Sequence, residues 1–409
     1  MNKMFLLASC LMSNLIFSQA NEGLELPNGF QAVKFADSVG RARHIAVSND
    51  GKVFVKLNKT INNAGIICLE DSDKDGLADK QKSFGNYIGT GIFIKNNYLY
   101  ASSNSAIFRY KLDVNNNVLD TVPEVIVKGL IARKKHESKA FTLDNAGNIF
   151  VDIGAYSNSC QVEDRQKGSL GIPNCPLLDS AAGIWKFDAN KTNQTYADGS
   201  RYAKGFRHIV GLDWNTADNS LYVMQHGRDQ LNMFPEYFSP EMSANLPAET
   251  FYKITDGANG AWPFCYYDPY KKAYMQSPEY GGDGKKLGCS DATLPIMDFP
   301  AHMAPVGLLF YTGNMFPEHY KDGAFIAFHG SWNRSPSVQE GYMVAFVPFK
   351  NGKPSGDYEV FANNFAGVKV VETTKMAKHR PVGLAQGPEG ELYVSDDVGG
   401  TIYKIIYKK

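Results

Sequence analysis

Two groups of side chains in this 409-residue sequence could do chemistry. The first is "LEDSDKDGLADK", residues 69–80, in which Asp71, Asp73 and Asp75 alternate, Gly76 follows and Asp79 closes the run. Spaced carboxylates ahead of a glycine are the front half of a calcium loop. A full EF-hand also needs a bidentate acid at its twelfth position and a helix on each side. Counted from Asp71 the twelfth residue is Lys82, and the upstream "GKVFVKL" (51–57) reads as a strand. Two readings stay open: a shorter calcium loop, or an Asp/Gly turn whose side chains bond their own backbone. The second group is dispersed. "RKKHESKAF", "YAKGFRHIVGL", "PAHMAPVGL" and "KHRPVGL" each place His136, Arg207 with His208, His302, or Arg380 just ahead of an apolar run. Arginine forks match carboxylates two points at a time, so arginines and histidines gathered in one place suit an anionic planar ligand.

What could gather them is a repeated element. An apolar stretch, a polar turn and a strand with a polar tip recur in "HIAVSNDGKVFVKL" (44–57), "GIFIKNNYLYASSNSAIFRYKL" (91–112) and "AFTLDNAGNIFVDIGAYSN" (140–158). The phrase returns in "VGLDWNTADNSLYVMQHGRD" (210–229), "GLLFYTGNMFPEHYKDGAFIAFHGSWNR" (307–334) and "VGLAQGPEGELYVSDDVGGTIYKIIY" (382–407). The turns NDG, NN, NAG, ADN, KDG and PEG separate runs rich in β-branched and aromatic residues, the pattern of hairpins. Six copies give one unit per ~65 residues, longer than a four-stranded propeller blade, with the excess in loops 158–183 and 230–300. No long amphipathic helical period competes. The expected fold is all-β: a six-bladed β-propeller with long inter-blade loops, forming a single domain over residues 21–409. A propeller brings strand tips to one mouth of its axial channel. Residues 154–158, 226–229, 329–334 and 396–400 are therefore expected to converge there.

The bulk numbers exclude other classes. With 42 basic and 42 acidic residues and no block of one sign, nucleic acid and anionic membrane are poor partners. Residues 1–20 read as a signal peptide: Lys3, the apolar "MFLLASCLMSNLIF", then "SQA" with cleavage after Ala20. Lipoprotein processing at Cys10 of "LASC" is the alternative, and it would leave the apolar run unfinished. No stretch reaches transmembrane length, so a periplasmic or secreted protein is expected. In an oxidising compartment near neighbours pair, which gives Cys160–Cys175 and Cys265–Cys289 and leaves Cys68 as a buried thiol.

Several segments carry a family resemblance: "GFRHIVGLDW", "QHGRDQLNMFPEYF", "LPAETFYKITDGANGAWPFCYYD" and "FIAFHGSWNRSPSVQEGYMVAFVPF". From about residue 27 to 406 the chain resembles soluble sugar dehydrogenases dependent on pyrroloquinoline quinone (PQQ), of the aldose/sorbosone group. That resemblance implies a six-bladed propeller using PQQ and Ca2+. A histidine takes the hydroxyl proton of a sugar or related alcohol, hydride passes to the quinone, and an external electron acceptor completes the cycle. The base then matches His136, and Arg207 matches the arginine facing the quinone oxygens. Backbone carbonyls of Gly227 and Arg228 match the calcium ligands, which would leave Asp71, Asp73, Asp75 and Asp79 as at most a second site. Asn333, Arg334 and Arg380 match cofactor contacts, and His302 joins them by its place at the mouth. His208 stands where the family has asparagine. Two rivals remain: a non-catalytic propeller binding a glycan or protein through loops such as the Tyr-rich 265–274, and a calcium-dependent lactonase. The lactonase needs more Glu and Asn than this Arg- and His-rich set provides.

Overall fold

A computed structural model describes residues 20–408. The expected export segment, with Cys10, lies outside the described residues apart from Ala20. Each of the six recurring phrases folds into a blade, and no blade is displaced from its expected span. Blade 1 is Ala42–Val47, Val53–Ile61, Ala64–Glu70 and Lys80–Phe84. Blade 2 runs from Ile92–Lys95 to Glu124–Lys128, and blade 3 from Phe141–Leu143 to Ser200–Lys204. Each of these two takes one further short strand in parallel, Gln194–Thr195 and Ala258–Asn259 respectively. Blade 4 begins at Ile209–Asn215, blade 5 at Pro305–Phe310 and blade 6 at Pro381–Gln386. Strands such as "AFIAF" (Ala324–Phe328) and "MVAFV" (Met343–Val347) are buried at every position. Neighbouring blades cover both faces of each sheet, so a continuous apolar run replaces the usual alternation.

The first strands of the six blades stand in a closed ring, each touching the next, with blade 6 back against blade 1. The recurring "VGL" has a steric reason there. A Cβ on Gly307 would meet the Val382 carbonyl oxygen at 2.3 Å, and one on Gly383 would meet the Arg43 oxygen and His44 Cα at 2.7 Å. Only glycine lets these backbones approach so closely around the axis. Pairing slips at the same place in four blades, between Ala42 and Ile45, Ile209 and Leu212, Pro305 and Gly307, and Pro381 and Leu384. Such a bulge re-aims the residues at the strand's start, and those are the residues that carry the histidines and arginines.

Blade 6 has three strands from the C-terminal region, and its fourth is Phe30–Ala36, paired antiparallel with Ile402–Tyr407. The Phe30 ring packs on Phe316, Tyr320, Phe361 and Tyr407 with centroids 4.8, 5.2, 4.9 and 5.0 Å away. The long loops are stapled: Cys160–Cys175 and Cys265–Cys289 are both disulfides, as expected. Cys68 is half-buried and has no disulfide partner among the described residues, and burial pushes its thiol up to about 11.

Lys56 sits between blades 1 and 2 with no carboxylate partner among the described residues. Its Nζ donates to the carbonyls of Gly65 (3.0 Å) and Tyr87 (2.5 Å), and burial lowers its pKa to about 7. Between that value and the 10.5 of an unburied lysine the unfolded chain binds the extra proton, so this group favours the fold increasingly as pH rises through that window. Paired denaturant titrations of wild type and Lys56→Met should therefore show their stability difference shifting toward wild type from pH 7 to 10. A difference flat with pH would refute the depressed pKa.

Candidate active site

The starts of the first strands and the ends of the second strands meet at one mouth, around a cavity of about 410 Å3. Five of the eight histidines line it: His136, His208, His226, His302 and His329. Arg43, Arg165, Arg207 and Arg380 join them. Of the expected site residues, His136, Arg207, His208, Gly227, His302, Asn333 and Arg380 are thus brought together.

His136 precedes the first strand of blade 3 with φ of 50°, a left-handed conformation that non-glycine residues adopt at a cost and often at functional sites. Its Nδ1 donates to the Ala155 carbonyl, which leaves Nε2 as the ring's lone-pair nitrogen. The ring stacks on His208 at 4.5 Å with 26° between planes. Burial, then the charge of Arg207, hold His136 well below the usual histidine range, so it is neutral. Gly154 makes room for this pair. A Cβ there would lie 2.6 Å from the His136 oxygen, 2.7 Å from its Cβ and 3.0 Å from His208 Nδ1. Gly154→Ala should therefore displace His136 and lower any His136-dependent turnover about a hundredfold, the cost of an ångström-scale misplacement. Turnover and a crystal structure of the variant would check both halves of that statement.

His208 Nδ1 lies 3.4 Å from Asp152 Oδ2, and neither Asp152 oxygen makes a well-formed hydrogen bond. Burial brings His208 down to about 3 and drives the Asp152 carboxyl well above its usual range, opposed by Lys139. The His208 ring is thus uncharged.

Arg207 is only 3% exposed and donates from all three of its nitrogens. Nη2 donates to Asp229 Oδ2 (2.8 Å) and Asn158 Oδ1 (3.0 Å), Nη1 to the Gly227 carbonyl (2.9 Å) and Nε to the Asn158 carbonyl (3.3 Å). Asp229 also accepts from Arg165 Nη2 at 2.7 Å and Asn333 Nδ2 at 2.8 Å. Burial alone would raise the Asp229 carboxyl, but Arg207 and Arg165 outweigh it and hold it well below the usual range. Glu249 accepts from the Gly227 and Ala304 N–H groups at 2.7 and 3.1 Å, and burial raises it to about 8. The Gly227 loop is therefore held from both sides. His302 donates Nε2 to the Ser243 carbonyl at 2.8 Å. Arg380 donates to the carbonyls of His329 (2.8 Å) and Gly330 (2.7 Å) and has no carboxylate partner among the described residues.

Two of the expected residues, Arg228 (expected for its carbonyl) and Arg334, are not among those lining this cavity. Arg228 is spent on Glu279, with Nη1 at 2.6 and 2.5 Å from its two oxygens. Arg334 is spent on Ala301, Val338, Asn245 and Glu340. The Asp loop lies between the third and fourth strands of blade 1. Asp71, Asp73 and Asp75 bring one oxygen each within 4.8 Å of one another. Asp79 instead accepts from the Ser72 N–H and hydroxyl, and Asp71 accepts from Gly76 N, which are turn bonds. Sequence reading placed Asp397 in the converging span 396–400 but passed over Arg43. The signal for Arg43 was available: "RH" before "IAV" in blade 1 repeats the "RH" before "IVGL" in blade 4.

The fold and this mouth define a six-bladed propeller with a cationic, histidine-rich ligand pocket on its axis. The chain belongs to the TrAA12-like family, which it matches over residues 24–408. An uncharacterised protein of Borreliella burgdorferi is 25% identical over 399 residues, covering 94% of this chain and 91% of that one. The pyrroloquinoline quinone-dependent pyranose dehydrogenase of Coprinopsis cinerea is 26% identical over 284 residues, 61% of this chain but 38% of that protein's length. The holo structure of its PQQ domain superposes with a TM-score of 0.75 at 19% identity, covering 94% of this chain and 97% of the domain. A calcium structure of the Trichoderma reesei family AA12 enzyme gives 0.75 at 18% identity, with 94% and 97% covered.

Proposed function

We propose that this protein is an exported quinoprotein that oxidises a sugar or related alcohol, with PQQ and calcium at the propeller mouth. The observation carrying this reading is that His136 and Arg207, 71 positions apart in the sequence, line one cavity. Its volume falls in the range of about 300–1,000 Å3 common to small-molecule pockets. The donor set suits a tricarboxylate: among the described residues Arg43 Nε is buried with no partner, and Arg380 spends its bonds only on carbonyls. The relatives named above, with their PQQ and calcium, support the same assignment, as the two disulfides support an oxidising compartment.

When bound, PQQ supplies the two-electron acceptor for hydride and calcium a Lewis acid on its carbonyl. The chain supplies the rest. His136, neutral and fixed through Nδ1, offers Nε2 to the substrate hydroxyl proton. Arg207, locked by Asp229 and Asn158, is a pre-set cation for developing negative charge. Arg43, Arg380, His302 and Asn333 would hold the cofactor's carboxylates and carbonyls. The carbonyls of Gly227 and Arg228 would hold the calcium as hard oxygen ligands, Arg207 using one lone pair of the Gly227 oxygen. An external electron acceptor closes the cycle.

Purified protein given PQQ and Ca2+ should take up the quinone and reduce a dye when pyranoses are added. His136→Gln should keep the uptake and lose about a hundredfold or more in kcat. Absence of uptake at micromolar quinone would remove the proposal.

A further inference from the structure

We propose that His329 is a second proton-accepting catalytic residue of this site, serving re-oxidation of the cofactor, with Asp397 and Arg43 as its positioning residues. The inference rests on the oxidation reading above. What singles out His329 is its partner. Among the cavity histidines, His136, His226 and His302 each give their N–H to a backbone carbonyl, those of Ala155, Pro305 and Ser243. His208 has no hydrogen-bond partner on Nδ1. His329 alone among them donates to a carboxylate, Nε2 to Asp397 Oδ1 at 2.8 Å. A carbonyl orients a ring, whereas a carboxylate also stabilises the imidazolium once the ring has accepted a proton.

The carboxylate is itself prepared. Arg43 Nη1 donates to Asp397 Oδ2 at 3.1 Å, so the other oxygen remains free to face the ring. The three side chains come from blades 1, 5 and 6 and are all mostly buried, with 13–17% of each exposed. The His329 backbone is pinned as well, since its carbonyl accepts from Arg380 Nε at 2.8 Å. With the proton on Nε2, Nδ1 is the lone-pair nitrogen, and no protein group among the described residues bonds it.

The chemistry supplies a task for such a group. In oxidising an alcohol the O–H bond breaks and its proton goes to His136, while the C–H electron pair leaves with its hydrogen as hydride to the quinone. The substrate becomes a carbonyl compound. When the external acceptor then withdraws two electrons, the transferred hydrogen remains behind as a proton. One turnover thus delivers two protons to a semi-enclosed cavity, and His329 Nδ1 takes the second, the charge being shared with Asp397 until solvent removes it.

Two measurements test this. In the cofactor-free chain, ring 15N NMR should show His329 as the Nε2–H tautomer with a strongly downfield proton that Asp397→Asn abolishes; an Nδ1–H tautomer in wild type would overturn the proposal. In the protein loaded with PQQ and Ca2+, stopped-flow absorbance separates cofactor reduction by sugar from its re-oxidation by a dye. His329→Gln should slow re-oxidation about a hundredfold and leave the reduction rate within twofold, and Asp397→Asn should slow the same phase at least tenfold. If His329→Gln folds poorly, the Asp397 variant decides alone. Unchanged re-oxidation in both variants, or slowing confined to the sugar step, would overturn the assignment. Wild type that oxidises no sugar would instead bring down the oxidation reading, and this proposal with it.

Discussion

Asp229→Asn should destabilise the protein by about 3–5 kcal/mol, because it leaves the buried Arg207 guanidinium and the half-buried Arg165 without their counter-charge. Asp229 is bonded at once by Arg207, Arg165 and Asn333, at 2.7–2.8 Å. The substitution preserves shape and one acceptor oxygen while removing the charge. Its cost is therefore electrostatic rather than steric. Burial of Arg207 at 3% exposure leaves water little access to compensate. Denaturant unfolding at neutral pH measures the loss. Acidification should reproduce part of it in wild type only at very low pH, because Arg207 and Arg165 outweigh burial and keep the carboxyl ionised well below its usual range. A loss under about 1 kcal/mol would mean that the two arginines are solvated by another route.

The second large effect is expected at Phe30→Ala, at about 3–5 kcal/mol, the range for truncating a buried phenylalanine. Phe30 is 5% exposed and sits edge-on to Phe316, Tyr320 and Phe361. These three belong to blade 5 or the loop within it, whereas Phe30 opens the strand that completes blade 6. The side chain thus fastens a seam as well as filling a core. Loss of that much stability with unchanged far-ultraviolet dichroism below the transition would support this account. A midpoint unchanged within error would show that blade 6 holds without the ring.

The propeller was legible in the sequence because its signal is local and repeated. Each turn, from NDG in blade 1 to PEG in blade 6, lies a few residues from the apolar runs it joins, so counting turns counts blades. The strand Phe30–Ala36 was not legible, since "FQAVKFA" has its partner at Ile402–Tyr407 and no nearby turn announces the pairing. The same contrast runs through the site. Placement of His136, Arg207, His208, His302 and Arg380 at one mouth follows from their position relative to the first strand of each blade, which the repeat fixes. Which arginines face the cavity does not follow. Arg228 lies next to Gly227 in sequence, yet its guanidinium belongs to Glu279, 51 residues away. Arg334 likewise looks equivalent to Arg380 until Ala301 and Glu340 claim it. Charge partners at long separation leave no local trace. The disulfides were legible for the opposite reason, with separations of 15 and 24 residues.

The strand supplied to blade 6 from the other end of the chain also orders events in time. Phe30–Ala36 is made well before its hydrogen-bonding partner Ile402–Tyr407, so the circle stays open until that partner has been made. Contacts of such long sequence separation are slow to form, and the joint between Phe30–Ala36 and Ile402–Tyr407 has the longest separation of any strand pair described above. A polypeptide delivered as an extended thread, amino end foremost, would thus carry this strand unmatched until Ile402–Tyr407 arrives, and only then could the ring of blades close.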